Sequence, residues 1–307
     1  MGMTNNQLAL ARAVAENRFD DARRIAIACL AEDFTKKNAR ERERLMNVLK
    51  NGPAERLELP ANLKGLAVLE NMKDFRADRH FLPEGERKLL ERIRAVDATA
   101  TRLDELGIKR LNSVLLHGKS GTGKTTFGKR IAYELGIPFL YVNFSGIVDS
   151  LMGRTARNLK EVFSFAKRTR CLFMLDEIDV VAGRRTNSSD GAAREWTNCV
   201  ATILQELDEV GNGPIVVGAT NMLENVDPAV RRRFSIEHEF RPPTDKETFM
   251  TARKYLETVP FRYDEDELGE WARKSANAER PQSEVIGGIV DAIVESLTNG
   301  NDELKFS

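Results

Sequence analysis

Eight consecutive residues, Gly118-Lys119-Ser120-Gly121-Thr122-Gly123-Lys124-Thr125, have the spacing of a phosphate-binding loop. Its glycines let the backbone turn tightly, so that successive N–H groups converge on phosphate oxygens; a helix starting behind them adds the positive end of its dipole. Lys124 is then placed to neutralise the β- and γ-phosphates and Thr125 to offer a hydroxyl to magnesium. A simple glycine turn would not account for the lysine. Further along, the apolar run Cys171-Leu172-Phe173-Met174-Leu175 ends in Asp176 and Glu177. A buried strand would deliver Asp176 to the magnesium shell at its carboxyl end. Glu177 would follow as base or orienting group for a water in line with the γ-phosphate. Two solvated carboxylates at a strand end are the plainer alternative. The pair as read favours water attack, and so nucleoside triphosphate hydrolysis, over transfer to an organic acceptor. A third apolar run, Ile215-Val216-Val217-Gly218-Ala219-Thr220, ends in Asn221. That side chain either hydrogen-bonds the attacking water or the γ-phosphate, or only caps the strand. Arg231-Arg232-Arg233 follow Asp227-Pro228. Arginine suits planar, two-pronged phosphate recognition. The chain's own nucleotide leaves them unused, so a neighbouring subunit's nucleotide is their natural target. A solvated basic helix end is the other reading, open above all for Arg231.

The elements that must hold these residues alternate. SVLLHG reads as a strand, KTTFGKRIAYEL as a helix, PFLYVNF as a strand and NLKEVFSFAKR as a helix. CLFML, the helix REWTNCVATILQELDEV, PIVVGAT and a last strand, SIEHEF, complete the series. Alternation of this kind predicts an α/β parallel sheet with helices on both faces. A long helix is predicted from Pro83-Glu84-Gly85-Glu86 to about Glu105, ended by Gly107. After Pro242-Pro243 the period is wholly helical. Residues 1–52 read as three short amphipathic helices, the third over KKNARERERLMNVLKNG, and residues 53–84 as a linker. The expected domains are therefore 1–52 helical, 53–84 linker, 85–242 α/β and 243–307 helical.

Composition narrows the partners. The 307 residues are 41% hydrophobic and 31% charged, which excludes global disorder. The 47 basic residues are balanced by 47 acidic ones, which speaks against a polybasic nucleic-acid binder. No apolar run approaches the roughly 18 residues of a bilayer span, and MGMTNNQLAL lacks the pattern of a secretory signal. Cys29, Cys171 and Cys199 form neither a disulfide framework nor a zinc site, and His80, His117 and His238 share no metal-ligand spacing. A reduced, cytoplasmic compartment is expected.

In this order, LGIKRLNSVLLHGKSGTGKTTFGKRIA, CLFMLDEID, VVGATN and DPAVRRRF resemble the AAA ATPases of the AAA+ superfamily, over about residues 85–300. AVRRRF is most similar to the meiotic clade of microtubule severers and ESCRT-disassembly ATPases. The resemblance implies a P-loop α/β ATPase subdomain with a helical lid, assembled as a ring, usually a hexamer. ATP and Mg2+ would lie between subunits, with Gly118 through Thr126 and Asp176 binding nucleotide and Thr125 and Asp176 serving the metal. Glu177 would be catalytic, Asn221 would be sensor 1, and Arg232 and Arg233 would be paired fingers acting in trans. The N-terminal helices, weakly similar to microtubule-interacting or tetratricopeptide adaptors, would select a client.

Departures from the family pattern bear on mechanism. Leu151 and Met152, in DSLMGR, stand where an aromatic first pore loop is expected, so threading of a peptide would rest on apolar contact alone. Residues 183–194 resemble the second pore loop, with Arg184, Arg185 and Arg194 able to face an acidic client or nucleic acid. Lys119-Ser120 replace the usual two prolines, and PQSEVIGG stands where a Ser-Gly-Ala-Asp run is usual in the lid. A protein remodeller is the leading expectation. A nucleic-acid motor or helicase loader is the alternative, disfavoured by zero net charge and the lack of a stacking platform. A scaffold that uses ATP only to assemble would have no need of Glu177.

Overall fold

The computed structural model describes residues 4–15, 19–32, 58–144, 155–180 and 191–306. The chain divides into two units, Met1–Glu58 and Leu59–Ser307. In the first, α1 (Asn5–Ala15) and α2 (Phe19–Glu32) pack against each other and bury Ala13 and Ala22. Thr4 and Gln7 form a reciprocal cap at the start of α1: the Gln7 N–H donates to Thr4 Oγ1 (3.3 Å) and the Thr4 N–H to Gln7 Oε1 (3.0 Å). The third helix predicted within 1–52 lies outside the described residues.

The second unit is built on six strands: β1 (Val68–Glu70), β2 (Asn112–His117), β3 (Phe139–Asn143), β4 (Leu172–Asp176), β5 (Ile215–Thr220) and β6 (Ile236–Glu239). Their order across the sheet is β1-β3-β4-β5-β2-β6. β1 runs antiparallel to β3 and all other neighbours are parallel. The predicted α/β architecture is present, with one antiparallel edge strand added. That edge comes from the stretch read as a linker: β1 and short 3-10 turns at Ala61–Leu63, Met72–Asp74 and Ala77–Arg79 bury Leu63, Met72 and Ala77. A three-residue strand is too short to show a period of two, so this segment has no sequence signature.

Helices cover both faces. On one, α5 (Thr155–Arg168) and α6 (Gly191–Glu209) bring Leu159, Val162, Phe163 and Ile203 against Leu115, Phe173, Leu175 and Val216. On the other, α3 (Glu84–Glu105) and α4 (Lys124–Leu135) bring Ile93, Phe127 and Ile131 against Val114, Leu116, Met174 and Val217. Neighbouring residues of β2, β4 and β5 thus face opposite clusters, which is why these strands read as continuous apolar runs. Because they are parallel, His117, Asp176 and Thr220 end at the same edge of the sheet. There the turns that follow them meet.

A short helix, α7 (Pro228–Arg231), precedes β6. The C-terminal helices α8 (Asp245–Leu256), α9 (Glu265–Asn277) and α10 (Gln282–Asn299) enclose a separate core around Leu256, Leu268, Trp271, Val285 and Ile289. Thr244 and Glu247 form the capping box that starts α8.

Candidate functional site

The loop between β2 and α4 owes its shape to three glycines in the left-handed region: Gly118 (φ +138°), Gly121 (φ +76°) and Gly123 (φ +101°). Gly118 also has no room for a side chain, since a Cβ there would stand 2.0 Å from the Phe240 carbonyl oxygen. Phe240 is itself tied to the loop's stem, its N–H donating to the His117 carbonyl at 2.7 Å. Gly118→Ala must therefore distort both the loop and the end of β6. A loss of about 3 kcal/mol in unfolding free energy is expected, measurable by urea denaturation. An unchanged midpoint would show that the strand end yields freely.

Lys124, the first residue of α4, is buried, and its ammonium donates to three oxygens: Gly118 O (2.7 Å), Lys119 O (2.9 Å) and Asn221 Oδ1 (2.8 Å). Burial pushes its pKa below the ordinary lysine value, while Asp176 and Asp179 draw it back up. The Asn221 expected to meet water or phosphate thus closes on the P-loop lysine from the tip of β5. Thr125 donates its hydroxyl to Asp176 Oδ2 at 2.9 Å, which brings the two residues expected to serve magnesium together. Oδ1 of the same carboxylate accepts the Glu177 N–H at 3.0 Å. Glu177 stands at φ +55°, a left-handed turn rare for a side chain of this kind. The chain leaves the sheet at that residue, where Val180 N–H returns to the Glu177 carbonyl at 3.0 Å.

Within the loop, Thr122 Oγ1 donates to Lys119 O at 2.8 Å, while Lys119 and Ser120 are exposed. Thr126 lines a cavity of about 260 Å³ beside the loop, walled also by Leu82, Pro83, Phe240 and Gln282. The C-terminal helical segment reaches the loop directly. Ser283 N–H donates to Gly121 O at 3.0 Å, and Lys119 pairs with Glu279 at 2.7 Å.

The arginines separate by partner. Arg231 makes a two-pronged contact with Glu237, at 2.5 and 2.6 Å, which accounts for it within the chain. Arg233 is held by Asp208 of α6 at 3.1 and 3.0 Å. Arg232 is exposed and donates to the Pro228 carbonyl at 3.1 Å; it has no carboxylate partner among the described residues. The structure thus gathers the P-loop, Asp176 and Asn221 into one hydrogen-bonded group, and gives the arginines other partners. Leu151, Met152, Arg184 and Arg185 lie outside the described residues, as does the side chain of Arg194.

Three contributors are given no role by the sequence motifs. Tyr141 donates to Asp176 Oδ2 at 3.2 Å, and Asp179 accepts the buried Thr220 hydroxyl at 2.5 Å. Ser283 sits on the P-loop from far along the chain. Asp179 alone was visible as part of the DEID run, though without a role.

Residues 114–242 match the family described as ATPase family associated with various cellular activities (AAA). A 26S proteasome subunit RPT4 from Saccharomyces cerevisiae is 34% identical over 170 residues, 54% of this chain and 39% of the yeast protein. A proteasome-activating nucleotidase from Aeropyrum pernix is 35% identical over 175 residues, 55% of this chain and 42% of that protein. An ATP-dependent zinc metalloprotease YME1 homolog from Schistosoma mansoni is 35% identical over 163 residues, 52% of this chain and 24% of that protein. The chain spans about two fifths of the length of the proteasomal relatives it matches.

Proposed function

We propose that this chain, whose residues 114–242 match the AAA ATPase family, is a Mg2+-dependent ATPase acting in a homo-oligomeric, hexameric ring that remodels a protein client. The observation that carries the reading is the convergence of three strand ends on one lysine and one carboxylate: Lys124 bonded to Asn221, and Thr125 bonded to Asp176. Relatives with proteasomal names support a protein client over nucleic acid, in line with the zero net charge. The nearer likeness to the meiotic clade rests on AVRRRF alone. No helix among the described residues is long and apolar enough to cross a membrane; a cytoplasmic site of action belongs to the proposal.

The residues present fit such a ligand. The three left-handed glycines leave backbone where side chains would stand, and Thr125 and Asp176 offer the hard oxygens that magnesium takes. Among the described residues no group of three or more His, Cys, Asp or Glu side chains could hold a metal by itself. The ion would therefore rely on Thr125, phosphate oxygens and water, with Asp176 alongside. When bound, it supplies neutralisation of charge on the β- and γ-phosphates. The cavity beside Thr122 and Thr126 takes the nucleoside, and loop N–H groups take the phosphates. Lys124 exchanges its carbonyl and amide partners for phosphate oxygens, which releases Asn221 to orient a water. That water's oxygen bonds the γ-phosphorus as the bond to the bridging oxygen of ADP breaks, and Glu177 accepts its proton. Arg232 and Arg233 of the adjacent subunit stabilise the charge that develops, with Asp208 setting the plane of the Arg233 guanidinium. The helices of residues 1–52 and the loops containing Leu151 and Met152 would engage the client.

Complementation tests the shared site. Arg232→Ala and Arg233→Ala chains should each lose at least about 100-fold in ATP turnover, given the usual size of an arginine-finger effect. Mixing either with Lys124→Ala chains should restore part of the activity, because each variant damages a different face of the interface. Light scattering with a non-hydrolysable ATP analogue should report an oligomer. A chain that stays monomeric, with no rescue at any mixing ratio, overturns the ring reading.

A further inference from the structure

Asp176 is held by more than its P-loop partner. Its Oδ2 accepts both the Thr125 hydroxyl (2.9 Å) and the Tyr141 phenol (3.2 Å), while Oδ1 accepts the Glu177 N–H (3.0 Å). Each donor comes from a different place: the P-loop helix, the neighbouring strand and the turn that follows. The strand register explains how Tyr141 reaches so far. β3 and β4 are parallel, with Tyr141 opposite Met174 and Asn143 opposite Asp176. Met174 and Asp176 therefore lie on one face of the sheet, two residues and roughly 6.6 Å apart. The long tyrosine side chain, on the α3/α4 face with Met174, spans that step. Its ring stacks on Phe139 at 6.1 Å with the planes 22° apart, which restrains where the hydroxyl can go. A phenol adds a donor without adding charge, so the carboxylate keeps its full negative charge for a cation.

We propose that Tyr141 is a positioning residue for the divalent cation: its hydroxyl fixes the plane of the Asp176 carboxylate so that Asp176 and Thr125 present their oxygens together. Thr125 cannot do this unaided, because a hydroxyl that turns its lone pair to a metal must also keep its proton on Asp176. A second donor on Oδ2 keeps the carboxylate in place while Thr125 adjusts. The inference rests on the reading of this site as one for a nucleotide with magnesium.

Tyr141→Phe keeps the ring and the stack and removes only the hydroxyl. Binding of a fluorescent ATP analogue is followed by anisotropy, first in EDTA and then across a MgCl2 titration. The expected result is an affinity in EDTA equal to that of the unaltered chain, and a MgCl2 midpoint raised about three- to tenfold, the size of one lost hydrogen bond to a charged acceptor in partial contact with solvent. Tyr141→Leu, which also loses the stack, should raise the midpoint at least as far. An unaltered midpoint in Tyr141→Phe overturns the role of Tyr141 and leaves the ATPase reading standing. Weaker binding in EDTA also overturns it, because the residue would then be supporting the loop and not the metal. If the unaltered chain shows no MgCl2-dependent gain, the nucleotide reading falls and this inference falls with it.

Discussion

Lys124→Ala is expected to weaken ATP binding at least 100-fold, about 3 kcal/mol or more, while leaving the chain folded. The ammonium is the one buried cation among the P-loop residues, and it is held between two loop carbonyls and Asn221. Charge-assisted contacts to a triphosphate in such a place are far stronger than exposed ion pairs. Stability should change little because two effects oppose. Burial depresses the lysine's pKa, so removing the group relieves the cost of a desolvated charge. The same change strands three acceptors that had one shared donor, which costs a comparable amount. The expected outcome is a melting midpoint close to that of the unaltered chain and no measurable binding of a fluorescent ATP analogue. Retained affinity in a folded variant would refute the assignment of residues 118–125 as the phosphate cradle.

Glu177→Gln should separate binding from hydrolysis. The amide has the size of the carboxylate but cannot take a proton, and general-base contributions of this kind are worth about 10²–10⁴ in rate. ATP affinity should be retained, because the loop, Lys124 and Asp176 are untouched. Stability should be retained as well. The left-handed backbone at this position costs on the order of 1–3 kcal/mol for any side chain of this shape, and Glu and Gln bear it alike. Single-turnover measurements on the nucleotide-loaded variant would isolate the chemical step, and light scattering in ATP should report a persistent assembly. Turnover equal to that of the unaltered chain would remove Glu177 from the role of base. The same variant, immobilised in ATP, is the form in which a protein client should remain bound long enough to be recovered.

The motifs were legible because their physics is local. A phosphate loop needs its glycines, lysine and threonine at fixed steps along one segment, and Gly118 to Thr125 satisfy that without reference to anything distant. Helix limits were legible for the same reason: Pro83 and Gly107 bracket α3 in the sequence, and the KTTFGKRIAYEL run coincides with α4. The buried strands announced themselves as apolar runs between breakers. By contrast β1 was hidden inside what read as a linker, since three residues at a sheet edge carry no period. The left-handed turn at Glu177 was equally invisible, because nothing in the residue type favours it.

By itself the sequence determined which residue types lie at the end of each strand and how the loop after β2 must bend, since both follow from near neighbours. Only the tertiary structure decided which of them meet. Lys124 lies 97 positions from Asn221, and Tyr141 lies 35 from Asp176; Arg233 turned to Asp208 and Arg231 to Glu237. Such pairings depend on the order and register of the strands. These are set by how two helical layers bury opposite faces of one sheet, a global packing condition that no window of adjacent residues contains.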